Sequence, residues 1–203
     1  MKYIISAIFI ILWLYILNVL KRCKLKFWTF ITGCCGLFLI LMILVRPWLT
    51  MPLARCVASI AGLVGNLTNT YMAYFKYGVL FIQTASGAVT LQIDLECSGI
   101  IEISVFLALI AFFEVYTVSE RVLIGIIGTF YTILANALRI TVICLVIRAF
   151  GTDMYYAAHT FIGRILFYIL QVLLYFYVFT KPQIVHMRVG RFSYGKKTKS
   201  EAQ

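Results

Sequence analysis

The chain has little charge. Only 12% of its 203 residues are Asp, Glu, Lys or Arg, about half the ~25% of an ordinary soluble domain. Seven residues are acidic and two are histidine. None of the six cysteines (Cys23, Cys34, Cys35, Cys56, Cys97, Cys144) makes a CxxC pair, and the histidines lie far apart. That argues against a zinc site, and no cofactor is expected. The basic residues are not interleaved with aromatics, so the net charge of +11 is no nucleic-acid footprint. The first apolar run lacks a small-residue cleavage site and reads as a retained span. There is no inverted repeat or pair of broken apolar segments of the kind that marks transporters.

What is present is hydrophobic sequence: 63% of residues, with a mean hydropathy of +0.99. Apolar runs of about 18 residues or more read as membrane helices. The fold class is therefore an all-α polytopic membrane protein, a single integral membrane domain. Residues 1–45 hold two spans, Lys2 to Leu20 and Phe27 to Val45, the second stopped by Pro47. Residues 46–96 form an extramembrane segment. Residues 97–180 hold span three (Gly99 to Tyr116), the loop "TVSER", the apolar stretch Val122 to Phe150, the turn "GTDMYYAAH" and a last span from Thr160 to Phe179. Lys181-Pro182 ends that span, and a basic tail, 181–203, follows. Cys34, Cys35 and Cys144 lie inside apolar runs as small buried hydrophobes.

Five spans put alternate loops on opposite sides. One side collects eleven Lys or Arg residues and the other four. The positive-inside rule makes the first side cytoplasmic. The N-terminus, Cys97 and His159 then lie outside and the tail inside, where Lys196, Lys197 and Lys199 suit acidic lipids. Residues 55–82 would make a sixth span, but Asn66, Thr68, Asn69 and Lys76 favour an interfacial or extramembrane helix. "AVTLQIDLE" alternates, with Val89, Leu91, Ile93 and Leu95 on one face. With "GVLFIQ" before it and "TASG" between, it predicts a β-hairpin from about Gly78 to Leu95.

The charged groups within spans need a reason. Arg148, near a span end, is expected to snorkel. Arg139 is deeper and should face a partner or polar cavity, with Asn136 on the same helical face. Glu102 is an intramembrane carboxylate that could pair with Arg139 or Arg164. His159, Gly163 and Phe167 share a stripe, and Gly163 would let a neighbouring helix approach. Cys97, Arg139 and His159 thus gather on one face from three helices. A thiol attacks as thiolate, which a helix start, a cation and a histidine all favour. His159 is the candidate general base and acid. Arg139, or the Ser98 and Gly99 amides, would serve a developing oxyanion.

The set "ECSGI" (Glu96 to Ile100), "NALR" (Asn136 to Arg139) and "HTFIGRILF" (His159 to Phe167), in that order, resembles the exosortase/archaeosortase family. Its short length is similar to the compact Gram-positive branch. The resemblance covers roughly residues 78 to 180. One departure is Thr160, where many members carry an acidic residue after the histidine. The resemblance implies a membrane-embedded cysteine transpeptidase or peptidase of the bacterial cell membrane. Its partners would be membrane-anchored proteins with a C-terminal sorting signal, the bilayer itself, and an envelope lipid or polymer as acceptor. Cys97, Arg139 and His159 would be catalytic, supported by Glu96, Ser98, Gly99, Asn136, Glu102 and Arg164. The competing class is non-enzymatic: a small transporter or channel with Glu102, Arg139 and Arg164 along a polar path, or an assembly subunit for envelope polysaccharide.

Overall fold

The two N-terminal apolar runs fold as α1 (Lys2–Arg22) and α2 (Lys26–Leu44). The computed structural model describes residues 2–84, 87–94 and 97–184. Glu96, Leu95, the tip of "TASG" and the basic tail beyond Ile184 fall outside the described residues.

α2 ends at Leu44, close to the Val45 expected, but Pro47 stands in the first turn of a further helix and not in a loop. A single residue, Val45, separates α2 from α3 (Arg46–Thr68), and it has right-handed helical angles (φ −93°, ψ −35°). Val45 N–H donates to the Leu41 carbonyl at 2.8 Å, and Leu49 N–H to the Val45 carbonyl at 3.0 Å. Helical bonding therefore passes through the junction. A proline near a helix start costs little, because its missing N–H would lack an intrahelical partner anyway.

α3 packs where α2 leaves off. Its small residues Ala54, Val57, Ala58 and Ala61 are fully buried, in one cluster with the sheet and the second half of α5. Tyr71, just beyond it, donates to the Ala61 carbonyl at 2.6 Å. Burial is the main cause that lifts the Tyr71 hydroxyl above its ordinary pKa, so it stays protonated and donating.

A three-stranded antiparallel sheet follows, in the order β1 (Met72–Tyr74), β2 (Val79–Thr84), β3 (Gly87–Gln92). The expected hairpin is there, with Leu80 opposite Leu91 and Ile82 opposite Val89. Alternation sends Leu80, Ile82, Leu91 and Ile93 into the core. The short strand β1 was not expected. Arg148 also departs from expectation: its guanidinium donates to the Gln83 carbonyl and ties α5 to the sheet.

α4 (Ile100–Phe112) is shorter than expected. It runs antiparallel to α2, with Lys26 near Glu114 at 3.6 Å at one end and its first turn at the other end, against Leu53 of α3. α5 spans Val118–Phe150. The expected loop at 117–121 is its start, because Thr117 and Glu120 form a capping box. Val122, Ile126, Phe130, Leu134 and Leu138 are exposed along one stripe of α5, the face suited to lipid. One helical step round from Leu138, Arg139 is buried.

The last helical segment runs Thr152–Ile184, longer at both ends than expected. It passes through Pro182. Proline cannot donate to the carbonyl one turn back, at Val178, and the Tyr116 hydroxyl donates to that carbonyl instead, at 2.8 Å. Burial, then Glu120, raises the Tyr116 pKa. Gly163 allows close approach to α5, since a Cβ there would stand 2.6 Å from Ile143 Cδ1. Lys26–Leu44, Arg46–Thr68, Val118–Phe150 and Thr152–Ile184 are all long and apolar enough to cross a membrane. The protein is a mostly helical, multi-pass membrane protein with a small sheet at one end of the bundle.

Candidate active site

The strand-to-helix junction sets the first site residue. Cys97 N–H donates to the Asp94 carbonyl at 3.0 Å, turning the chain sharply after Ile93. Ser98 is fully buried. Gly99 takes a left-handed conformation (φ +78°) directly before α4 begins. An L side chain is strained there, and its Cβ would press within 3.4 Å of Asn136 Nδ2. Small residues at this junction therefore let α5 come up against the Cys97 backbone.

Asn136 uses that proximity. Its Nδ2 donates to the Cys97 carbonyl. Its Oδ1 is buried without a partner among the described residues. One turn further along α5, Arg139 is 4% exposed. Its Nη2 donates toward Cys97 Sγ at 3.8 Å, and its Cζ lies over the Phe167 ring, 5.5 Å from the centroid. Phe167 thus supports the guanidinium from below while the sulfur accepts from it.

The third group comes from the last helical segment. Ala158–Ile162 forms a π-turn, a local widening often found at functional sites. His159 sits in it, with Nε2 3.2 Å from Cys97 Sγ. Tyr155, one turn earlier, stacks on the imidazole at 5.9 Å and 11°. The sequence reading missed Tyr155, although its i, i+4 spacing from His159 in "YYAAH" is a legible signal. The thiol itself is only 3% exposed.

Glu102 and Arg164 lie to one side. With Ile101, Arg139, Phe167 and Tyr168 they line a cavity of about 370 Å³. Glu102 makes no direct ion pair with Arg139 or Arg164, contrary to the pairing expected from sequence, and its Oε2 is buried without a hydrogen-bond partner among the described residues. Of the nine residues singled out, eight are described, and Cys97, Arg139, His159 and Asn136 converge. Among the described residues no three of His, Cys, Asp and Glu cluster as a metal site would need.

The geometry is thus a thiol beside an imidazole and a guanidinium at one end of a helical bundle. The transmembrane exosortase family (Exosortase_EpsH) matches residues 2–176. The chain belongs to the transmembrane exosortase family. The exosortase match takes in α1, α2 and α3, which the short motifs do not reach. No curated protein and no solved structure matches the chain. The segments that carry the resemblance hold the convergent side chains: Cys97 in "ECSGI", the buried Asn136 and Arg139 in "NALR", and His159 and Phe167 in "HTFIGRILF".

Proposed function

We propose that this exosortase is a membrane-embedded cysteine transpeptidase or peptidase that cleaves C-terminal sorting signals of exported proteins through a thioester on Cys97. The observation that carries the reading is the contact of Cys97 Sγ with His159 Nε2 at 3.2 Å and with Arg139 Nη2 at 3.8 Å. His159 Nε2 takes the thiol proton. The positive guanidinium favours the thiolate that results.

The sulfur attacks the peptide carbonyl carbon, forming a C–S bond and an oxyanion. Arg139 is the nearest cationic donor for that charge. The C–N bond then breaks, and His159 returns its proton to the leaving amine. An acceptor amine on an envelope lipid or polymer resolves the thioester by transfer, and water resolves it by hydrolysis. The positive-inside count supports an extracytoplasmic site, with the substrate anchored in the same bilayer beside the enzyme.

The test is substrate processing in membranes. Cys97→Ala should abolish it, and wild-type chain should carry a thiol-dependent covalent adduct at Cys97. Normal processing by Cys97→Ala would sink the reading.

A further inference from the structure

Glu102 is costly to keep within the bundle, and the reaction steps above do not use it. It lines the cavity beside Arg139 and Arg164. Its Oε2 and Arg139 Nε are both buried without hydrogen-bond partners among the described residues. A cavity of about 370 Å³ has room for water between them, at roughly 30 Å³ per molecule. Among the described residues, Arg139 therefore has two neighbours able to carry negative charge: the Cys97 sulfur, 3.8 Å from its Nη2, and the Glu102 carboxyl across the cavity.

From this arrangement we propose that Glu102 is a positioning residue that shares Arg139 with Cys97 and holds the guanidinium's counter-charge once the sulfur is acylated. The inference rests on the thioester reading. Before attack, the thiolate and imidazolium carry one charge each, as do Arg139 and Glu102. Acylation converts the thiolate to a neutral thioester, and the imidazolium passes its proton to the leaving amine. Arg139 then has no anion at the sulfur, and among the described residues Glu102 remains to balance it. Sharing also tempers the thiolate, keeping it from being too strongly stabilised to attack.

Among the described residues, the charged and titratable groups around Glu102 and Arg139 come from two helical elements. Arg139 comes from α5. His159, Arg164, Tyr168 and Tyr175 come from the last helical segment, and Tyr175 lies within electrostatic range of Glu102. Removing the Glu102 charge leaves Cys97 as the main partner of Arg139. The thiolate should then form at lower pH.

The measurement is the ultraviolet absorbance of the Cys97 thiolate, titrated in full-length protein in nanodiscs. Each titration is taken as a difference from the same chain carrying Cys97→Ala. Glu102→Gln should move the midpoint down by roughly half a unit to one unit. Glu102→Met, neutral and similar in length, should do the same if the Gln chain does not fold. Glu102→Asp keeps the charge and should hold the midpoint near wild type. An unmoved midpoint in the neutral variants overturns the proposal. So does an equal shift in Glu102→Asp, or a chain that folds with neither neutral residue. The titration needs no substrate, so the two readings fail separately. Processing without Cys97 removes the thioester mechanism, whereas an unmoved midpoint with processing still dependent on Cys97 removes only the role of Glu102.

Discussion

The Asn136 side chain donates to the backbone carbonyl of Cys97, binding α5 to the turn that carries the thiol. The bond fixes the backbone instead of touching the sulfur. Asn136→Ala should leave the thiol in place but let the turn drift. A displacement of about 1 Å at a reacting group can cost about 100-fold in rate. Processing should fall by roughly that factor while the chain still reaches the membrane, as read by quantifying cleaved substrate against enzyme level.

Arg139 offers a sharper test, because charge and shape can be separated. Arg139→Lys keeps the charge but loses the planar fork that reaches the sulfur while lying on Phe167. Processing should fall by about 10-fold or more in Arg139→Lys, and further in Arg139→Ala, where about 100-fold or more is expected for a lost oxyanion donor. Equal losses in the two variants would show that the charge alone contributes nothing at this position, and wild-type activity in both would show that neither charge nor shape matters.

Gly99→Ala tests the junction itself. The left-handed backbone costs about 1 kcal/mol for a side chain, and the added Cβ would touch the Asn136 amide at 3.4 Å. We expect a lower melting temperature and weaker processing together. A variant that loses neither would mean the junction relaxes freely.

Tyr71 gives a prediction in pH. Its folded pKa is raised by burial, so the folded state holds this proton more tightly than the unfolded state. The resulting stability is complete below the ordinary tyrosine pKa of about 10 and is lost as pH rises through the higher folded value. Tyr71→Phe should remove that part of the alkaline sensitivity. It should also lower neutral-pH stability by about 1 kcal/mol, through the lost bond to the Ala61 carbonyl. Thermal melting across the alkaline range measures both.

Much of this site is legible because a membrane protein can hide few polar groups. Arg139, Asn136, Glu102 and His159 stand out against apolar sequence, and each needs a partner. The hairpin is legible because "AVTLQIDLE" alternates through β3, with the turn "TASG" and the apolar run of β2 before it. β1 is not, since three residues in "TYMAYFKY" are too few to show a period. The end of α2 before Pro47 is legible, but the start of α3 at that proline is not, since a proline in a first turn costs little. The helix through Pro182 is hidden because proline reads as a terminator, whereas its lost bond is replaced by the Tyr116 hydroxyl at Val178. Nothing in local propensity marks the π-turn at His159. It is a register adjustment that tertiary packing imposes.

The length of α4 has a consequence for where chemistry happens. Thirteen residues rise about 20 Å, roughly 10 Å short of a hydrocarbon core. The opposite end of α4 lies by the exposed Lys26–Glu114 pair, a natural marker of the bilayer surface. On the proposed thioester reading, a thiol three residues before α4 would lie below the level where a full span surfaces. A peptide would then have to descend to react, and bulk water would have the same descent to make. Depth would act as a filter on which nucleophiles arrive, favouring those already tethered in the bilayer.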